Sequence, residues 1–280
     1  MKKRTITQRA LSSFKNFLTE NEKAPATIQK YLHDITYFME FAGDHINDKT
    51  IILSYKNHLT QAYSVRSANS MLAALNAFLR FLGWHELCVK QFKVQQEAYC
   101  SEDKELTKKE YTALVKTAEL RKNERLSLVV QTICGTGIRV SELQNITVES
   151  AKKGEAIVSC KGKTRKIFII AALQKKLLRY ARSQGIESGA LFITKNGKPL
   201  DRCNIWRQMK DLCIQAGVSP QKVFPHNLRH LFARTFYSIE KDIAKLADIL
   251  GHSNINTTRI YIITTGTEHR NRMENMRLII

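Results

Sequence analysis

The chain has 280 residues, 43% hydrophobic and 25% charged, and its 45 Lys and Arg outnumber 25 Asp and Glu to give a formal charge of +20. That length allows two folded units, since one core usually spans about 100–200 residues, and so large a cationic excess favours a polyanionic partner. The six cysteines (88, 100, 134, 160, 203 and 213) form no Cys-x-x-Cys pair, and there is neither a signal peptide nor a long apolar run. This argues against a secreted disulfide framework, a zinc site and a membrane span, and for free thiols in a reducing cytoplasm.

In chain order, residues 6–21 and 26–42 show helical periodicity, the second with Ile28, Tyr31, Leu32, Ile35, Phe38, Met39 and Phe41, and with Pro25 and Thr27 marking its start. Residues 49–61 and 65–82 give two more helices, the last carrying Met71, Leu72, Leu75, Phe78, Leu79 and Leu82 at helical spacing. Residues 1–85 therefore read as a small four-helix domain. From Gly83 to about Thr107 the periodicity fades into polar, charged passages, and 86–106 read as an interdomain linker. A second domain, 107–280, opens on Thr107 and Glu110 at capping-box spacing.

Residues 126–132 are apolar enough for a buried helix, which delivers the Gly135-Thr136-Gly137 turn ahead of Arg139. Glu142 has two readings: an acceptor bracing Arg139, or a carboxylate at a helix start where the dipole favours it. Alternating segments at 156–159 and 166–170, joined by the basic run 160–165, read as a β-hairpin with a basic turn. Residues 173–184 read as a helix, and 191–194 as a short strand before the turn at Asn196-Gly197. A further helix, 205–217, has a basic face of Arg202, Arg207 and Lys210 suited to lying along or in a major groove.

The stretch from Phe224 to Tyr261 is the densest in chemistry. His226 and Arg229, three apart after a first-turn proline, share one face of a helix whose apolar stripe is Leu228, Leu231, Phe232 and Phe236. A second helix, with Ile243, Leu246, Ile249 and Leu250, stops at Gly251, and His252 follows. A last helix, 257–263, carries Tyr261. Arginine binds two phosphate oxygens at once, histidine exchanges a proton, and tyrosine offers a hydroxyl nucleophile, a set suited to attack on a phosphodiester. His226 and His230 lack the intervening Glu of a metalloprotease helix, and no metal or other cofactor is expected.

His226-x-x-Arg229, Leu250-Gly251-His252 and Tyr261 resemble the second signature box of the tyrosine recombinase (lambda integrase-like) family, and Gly135-Thr-Gly-Ile-Arg-Val-Ser-Glu-Leu143 resembles its arginine box about ninety residues earlier. The resemblance implies a mainly α fold: an N-terminal four-helix, SAM-like core-binding domain followed by a mostly helical catalytic domain with a small antiparallel sheet. It implies a site-specific recombinase that cuts and rejoins DNA through a 3′-phosphotyrosyl intermediate, in integration of a mobile element or resolution of replicon dimers. Arg139, Lys161, His226, Arg229, His252 and the nucleophile Tyr261 are the implied catalytic set, with Lys163 the substitute for Lys161 as the hairpin acid. Lys30, Arg66, Arg80, Lys163, Arg202, Arg207 and Lys210 are candidate contacts to double-stranded DNA. The tail after Tyr261 ends in Met273, Met276, Leu278, Ile279 and Ile280; the family docks such a tail on a neighbour, which implies a homotetramer on two DNA sites. A type IB topoisomerase and a non-catalytic DNA-binding relative are the alternatives.

Overall fold

The computed structural model describes residues 4–43, 45, 46, 48–93, 104–160, 163–194, 196–261, 270 and 273–276, with backbone alone at 45, 160 and 163. The chain divides into two compact units, Met1–Gln96 and Glu97–Ile280.

The first unit is a bundle of α1 (Gln8–Glu20), α2 (Pro25–Ala42), α3 (Lys49–Ala62) and α4 (Val65–Phe81), with the short strands β1 (Arg4–Thr5) and β2 (His45–Ile46) paired antiparallel. Local chemistry sets the helix starts. Thr7, Asp48 and Ser64 each cap a helix through a side-chain oxygen, and Pro25 occupies the first turn of α2, where no amide donor is needed. The apolar stripes converge on a core that includes Phe14, Ile35, Phe38, Tyr55, Leu72 and Phe78. Part of the stretch expected as linker belongs to this bundle. The buried Asn76 clasps Val89, accepting from its N–H at 3.0 Å and donating to its carbonyl at 2.8 Å; one more heptad back along α4, Asn69 clasps Phe92 at 2.7 and 2.9 Å. Two-point amide bonds of this kind satisfy an extended backbone as a neighbouring strand would.

The second unit opens on α5 (Lys108–Leu120), whose Thr107–Glu110 capping box forms as expected. Next comes α6 (Glu124–Thr136), longer than the expected 126–132 because Asn123 caps it early and the left-handed Gly137 ends it late. A 3-10 turn, Val140–Asn145, and α7 (Val148–Lys153) lead into β3 (Glu155–Cys160) and β4 (Lys163–Phe168). These pair antiparallel from Glu155↔Phe168 to Cys160↔Lys163. The register corrects the expected basic turn: Lys163, Arg165 and Lys166 lie in β4, so alternation sends Arg165 and Lys166 to opposite faces. Lys166 pairs with Glu155 at 2.9 Å on the outer face. The expected strand at 191–194 is reduced to isolated bridges, Thr147↔Ala190 and Ile193↔Pro199. Then follow α8 (Ala171–Ser183), α9 (Arg202–Ala216), α10 (Pro225–Glu240), α11 (Ile243–Leu250) and α12 (Ile255–Arg259). α12 is shorter than expected, and Tyr261 lies in the turn after it. The core gathers Leu114, Val129, Ile133, Leu177, Phe192 and Leu228 around α6.

Candidate active site

Four segments of the second unit converge: the turn after α6, strand β4, the start of α10, and the stretch from the end of α11 to Tyr261. Gly137 ends α6 at φ +64°, and a Cβ there would fall 2.5 Å from the Phe232 ring, so both the conformation and the close approach require glycine. This turn presents Arg139, whose amide donates to Glu142 Oε2 at 2.9 Å and whose Nη1 donates to Glu142 Oε1 at 3.1 Å. Glu142 therefore fills both expected roles at once. Its main partner is one that sequence reasoning missed: Arg165 of β4 donates two-pronged, Nη1 to Oε1 at 2.9 Å and Nη2 to Oε2 at 2.7 Å. Burial alone would raise the Glu142 carboxyl, but the bonds from Arg165 and from Arg139 outweigh it and hold the pKa below the ordinary value.

Arg229 is 2% exposed. It donates to the carbonyl of Gly137, to the carbonyl of Leu250 at 2.7 Å, and to His252 Nε2 at 3.0 Å. Burial, then the neighbouring Arg139, lowers its pKa to about 10, which leaves it charged at neutral pH. His252 has its pKa pushed down to about 4, first by burial and then by Arg229, Arg139 and Arg165. A neutral ring whose Nε2 accepts from an arginine carries its proton on Nδ1, which lies 2.9 Å from the buried Thr258 hydroxyl and donates to it.

Tyr261 is 4% exposed and packs with Ala233, Leu246 and Leu250. Its hydroxyl lies 3.3 Å from His226 Nε2, and its ring is 4.7 Å from that of His230, 5.4 Å from His226 and 5.5 Å from His252. His226 stands at the solvent-facing rim; partial desolvation, then His230, Arg229 and Arg139, lower its pKa from the ordinary value, so it is a neutral acceptor at pH 7. His230 faces Glu105, with Nδ1 3.3 Å from an oxygen that Arg234 holds at 2.9 Å. Glu105 lies in the stretch expected as linker, and its neighbour Lys104 offers a carbonyl to Asn227 of α10 at 2.7 Å. No local pattern marks such a pairing across more than a hundred residues.

A cleft of about 610 Å³ opens above these groups, lined by Arg139, His226, Arg229, Arg202, Trp206 and Phe224 among others. Arg202 is thus brought to the site. Arg207 bonds Asn204 at 3.2 Å, and Lys210 binds the Pro220 carbonyl and lies 5.2 Å from the Trp206 ring centre. In the first unit the exposed Lys30, paired with Asp34, and the exposed Arg66 line one cleft of about 400 Å³ with His33, Tyr37 and Tyr63, whereas Arg80 lines another with Tyr31 and Lys90. Lys161 lies outside the described residues, and so does the side chain of Lys163. Among the described residues Cys88, Cys134, Cys203 and Cys213 are free thiols, no cluster of His, Cys, Asp or Glu could hold a metal, and no helix is long and apolar enough to cross a membrane.

Residues 104–267, more than half of the chain and containing every group just described in the site, match the Phage integrase family, and residues 11–86 match the family described as "Phage integrase, N-terminal SAM-like domain". The chain belongs to the phage integrase family. Tyrosine recombinase XerA of Pyrococcus furiosus is 29% identical over 288 residues, covering 100% of this chain and 98% of its own, and XerA of Thermococcus kodakarensis is 30% identical, covering 96% and 95%. In fold, the chain is similar to a lambda integrase tetramer bound to a Holliday junction, with a TM-score of 0.71, 19% identity, and coverage of 92% of this chain and 77% of that one. In this family, then, the N-terminal bundle is SAM-like and the second unit is the integrase domain.

Proposed function

We propose that the chain is a site-specific DNA recombinase acting through a 3′-phosphotyrosyl intermediate. The observation that carries the reading is the Tyr261 hydroxyl, held beside the neutral His226 and within the site built on the buried Arg229, in a chain alignable almost end to end with tyrosine recombinases. Arg139 and Arg229 take the nonbridging oxygens of the scissile phosphate, and their fixed N–H donors meet the negative charge that grows as the phosphorane-like state forms. The Tyr261 oxygen attacks phosphorus; the new P–O bond forms as the bond to the 5′ oxygen breaks, and the phenolic proton passes to His226. His252 orients Arg229. Lys161, with Lys163 as the substitute, protonates the departing 5′ oxygen, a role that rests on the sequence alone. Because the phosphotyrosyl ester conserves the bond energy, a 5′ hydroxyl from a partner duplex reverses the step without ATP.

The wider assembly extends the same reading. The N-terminal bundle, with the clasped segment through Phe92, forms a core-binding domain that holds duplex DNA through Lys30, Arg66 and Arg80, the catalytic domain takes in Lys104 and Glu105, and Arg202 and Arg207 of α9 contact the duplex near the cleft. The segment from Met273 onward, whose Met273 and Met276 side chains are exposed, docks on a neighbouring protomer to build a homotetramer on two duplexes in the cytoplasm. The test uses a duplex nicked beside the cleavage position, its sequence taken from covalent junctions mapped in cellular DNA. Wild-type protein should accumulate covalently linked DNA and transfer it to a second duplex; Tyr261→Phe should bind and form no adduct. Protein-linked DNA from the Phe variant rejects Tyr261 as nucleophile, and rejoining confined to the parent strand supports topoisomerase action instead.

A further inference from the structure

The acceptor capacity of Glu142 is fully used. An ionised carboxylate offers about four lone-pair sites, and Glu142, 4% exposed, fills two with the Arg165 fork, one with Arg139 Nη1 and one with the Arg139 amide. The Arg165 bonds are 2.9 and 2.7 Å, while the single guanidinium bond from Arg139 is 3.1 Å. Arg139 is thereby tethered by its backbone and one nitrogen, and it lines the cleft. Remove the Arg165 fork and the two freed sites lie next to the nearest remaining cation, Arg139. A carboxylate that took both prongs of Arg139 would compete directly with a phosphate for the same planar fork.

The stem of Arg165 is fixed from the other side. Gly251, left-handed at φ +65° at the end of α11, lies so close that a Cβ there would sit 2.7 Å from Arg165 Cδ. The backbone at Gly251 thus packs against the stem of Arg165 while its guanidinium spans both Glu142 oxygens.

We propose that Arg165 is a positioning residue for cleavage: it saturates Glu142, so that the carboxylate orients Arg139 without occupying the donors Arg139 needs for the scissile phosphate. The inference rests on the reading of Arg139 as a phosphate ligand. Arg165 itself touches no reacting atom in this account. What it supplies is a counter-charge that competes for Glu142.

The experiment measures single-turnover formation of covalent protein–DNA adduct on the nicked duplex, with duplex affinity and thermal melting recorded for each variant. Arg165→Gln should cleave about 100-fold more slowly, the scale of losing one preorganised donor to developing charge, with duplex affinity within about threefold of wild type because phosphate contacts elsewhere dominate binding. The deciding variant is the pair Arg165→Gln with Glu142→Gln, in which the competing carboxylate is gone and a neutral amide pair remains. It should recover at least tenfold over the single variant. A merely structural role predicts the reverse, since a second buried substitution cannot restore rate. Recovery below threefold in a folded double variant, or wild-type rate in Arg165→Gln, overturns the proposal. Where Arg165→Gln alone does not fold, the double variant decides: adduct formation within tenfold of wild type supports the proposal, and slower formation or failure to fold overturns it. Arg139→Ala run in parallel separates the two levels, because wild-type cleavage in that variant refutes the phosphate-ligand reading whatever Arg165 does.

Discussion

Replacing Arg229 by lysine separates charge from geometry at the centre of the site. The guanidinium is 2% exposed and serves three acceptors, the carbonyls of Gly137 and Leu250 and the Nε2 of His252. An ammonium keeps the charge, but it is a compact donor that cannot match the positions set by a planar fork. If one acceptor is still reached, two buried acceptors lose their partner, at about 1–3 kcal/mol each. The expected loss is therefore about 2–6 kcal/mol. For a unit of this size, where 1 kcal/mol moves Tm by roughly 2–4 °C, the melting point of the second unit falls by about 4–24 °C. Urea unfolding should show a lower midpoint at unchanged slope, the mark of a stability change rather than a changed unfolded state. Cleavage should fall with it, by about 100-fold or more, since the displaced charge no longer meets the phosphate. A Lys variant within about 0.5 kcal/mol of wild type would refute the account of Arg229 as a three-way tie.

His252 predicts a pH dependence of stability. Its folded pKa of about 4 lies below the ordinary 6.5, so between those values the unfolded chain takes up a proton that the folded chain refuses, and stability present above pH 6.5 is lost as pH falls toward 4. After discounting for partial exposure this is worth about 1–2 kcal/mol, and His252→Asn should flatten the decline of Tm over that window; an unchanged slope contradicts the assignment. The charge of +20 predicts that affinity for nonspecific duplex drops by more than about tenfold between 50 and 200 mM salt, and a flat response in a fluorescence titration would count against a phosphate-tracking surface. Deleting Met273 to Ile280 should leave one-site binding intact and abolish pairing of two duplexes in a native gel; a truncated protein that still pairs and recombines them rejects the connector role of the tail.

Much of this molecule is readable from sequence because its features are local. The four N-terminal helices announce themselves through helical periodicity, and the second also through Pro25 at its start. Arg139, His226, Arg229, His252 and Tyr261 sit in two short boxes whose glycines and proline mark the backbone turns that aim them. The missing parts are those that depend on register or distance. Arg165 reads as one more basic turn residue until the pairing Cys160↔Lys163 places it in a strand, where alternation turns it inward to Glu142. Glu105 reads as a linker charge, because nothing near it in sequence signals His230 or Arg234. Asn69 and Asn76 lie among the apolar residues of α4, and their role emerges only when the segment at 89–92 lies alongside.

The two arginines of the site solve the same electrostatic problem in different ways. A phosphate ligand must be held in place by acceptors, yet a carboxylate that holds it also cancels part of its charge. Arg229 is held by acceptors that carry no formal charge: the carbonyl of Gly137 at the end of α6, that of Leu250 at the end of α11, and the neutral ring of His252. Helix C-termini leave carbonyls unpaired and carry the negative end of the helix dipole, so two of them facing one guanidinium stabilise a buried cation while leaving its net charge whole. Arg139 lies on the turn that follows α6 and is held by Glu142, and Arg165 balances that carboxylate. Counting Glu142 as −1 and the three arginines as +1 each, with His226 and His252 neutral, the cluster keeps a net charge of about +2, matched to a phosphodiester that gains negative charge as Tyr261 adds to it.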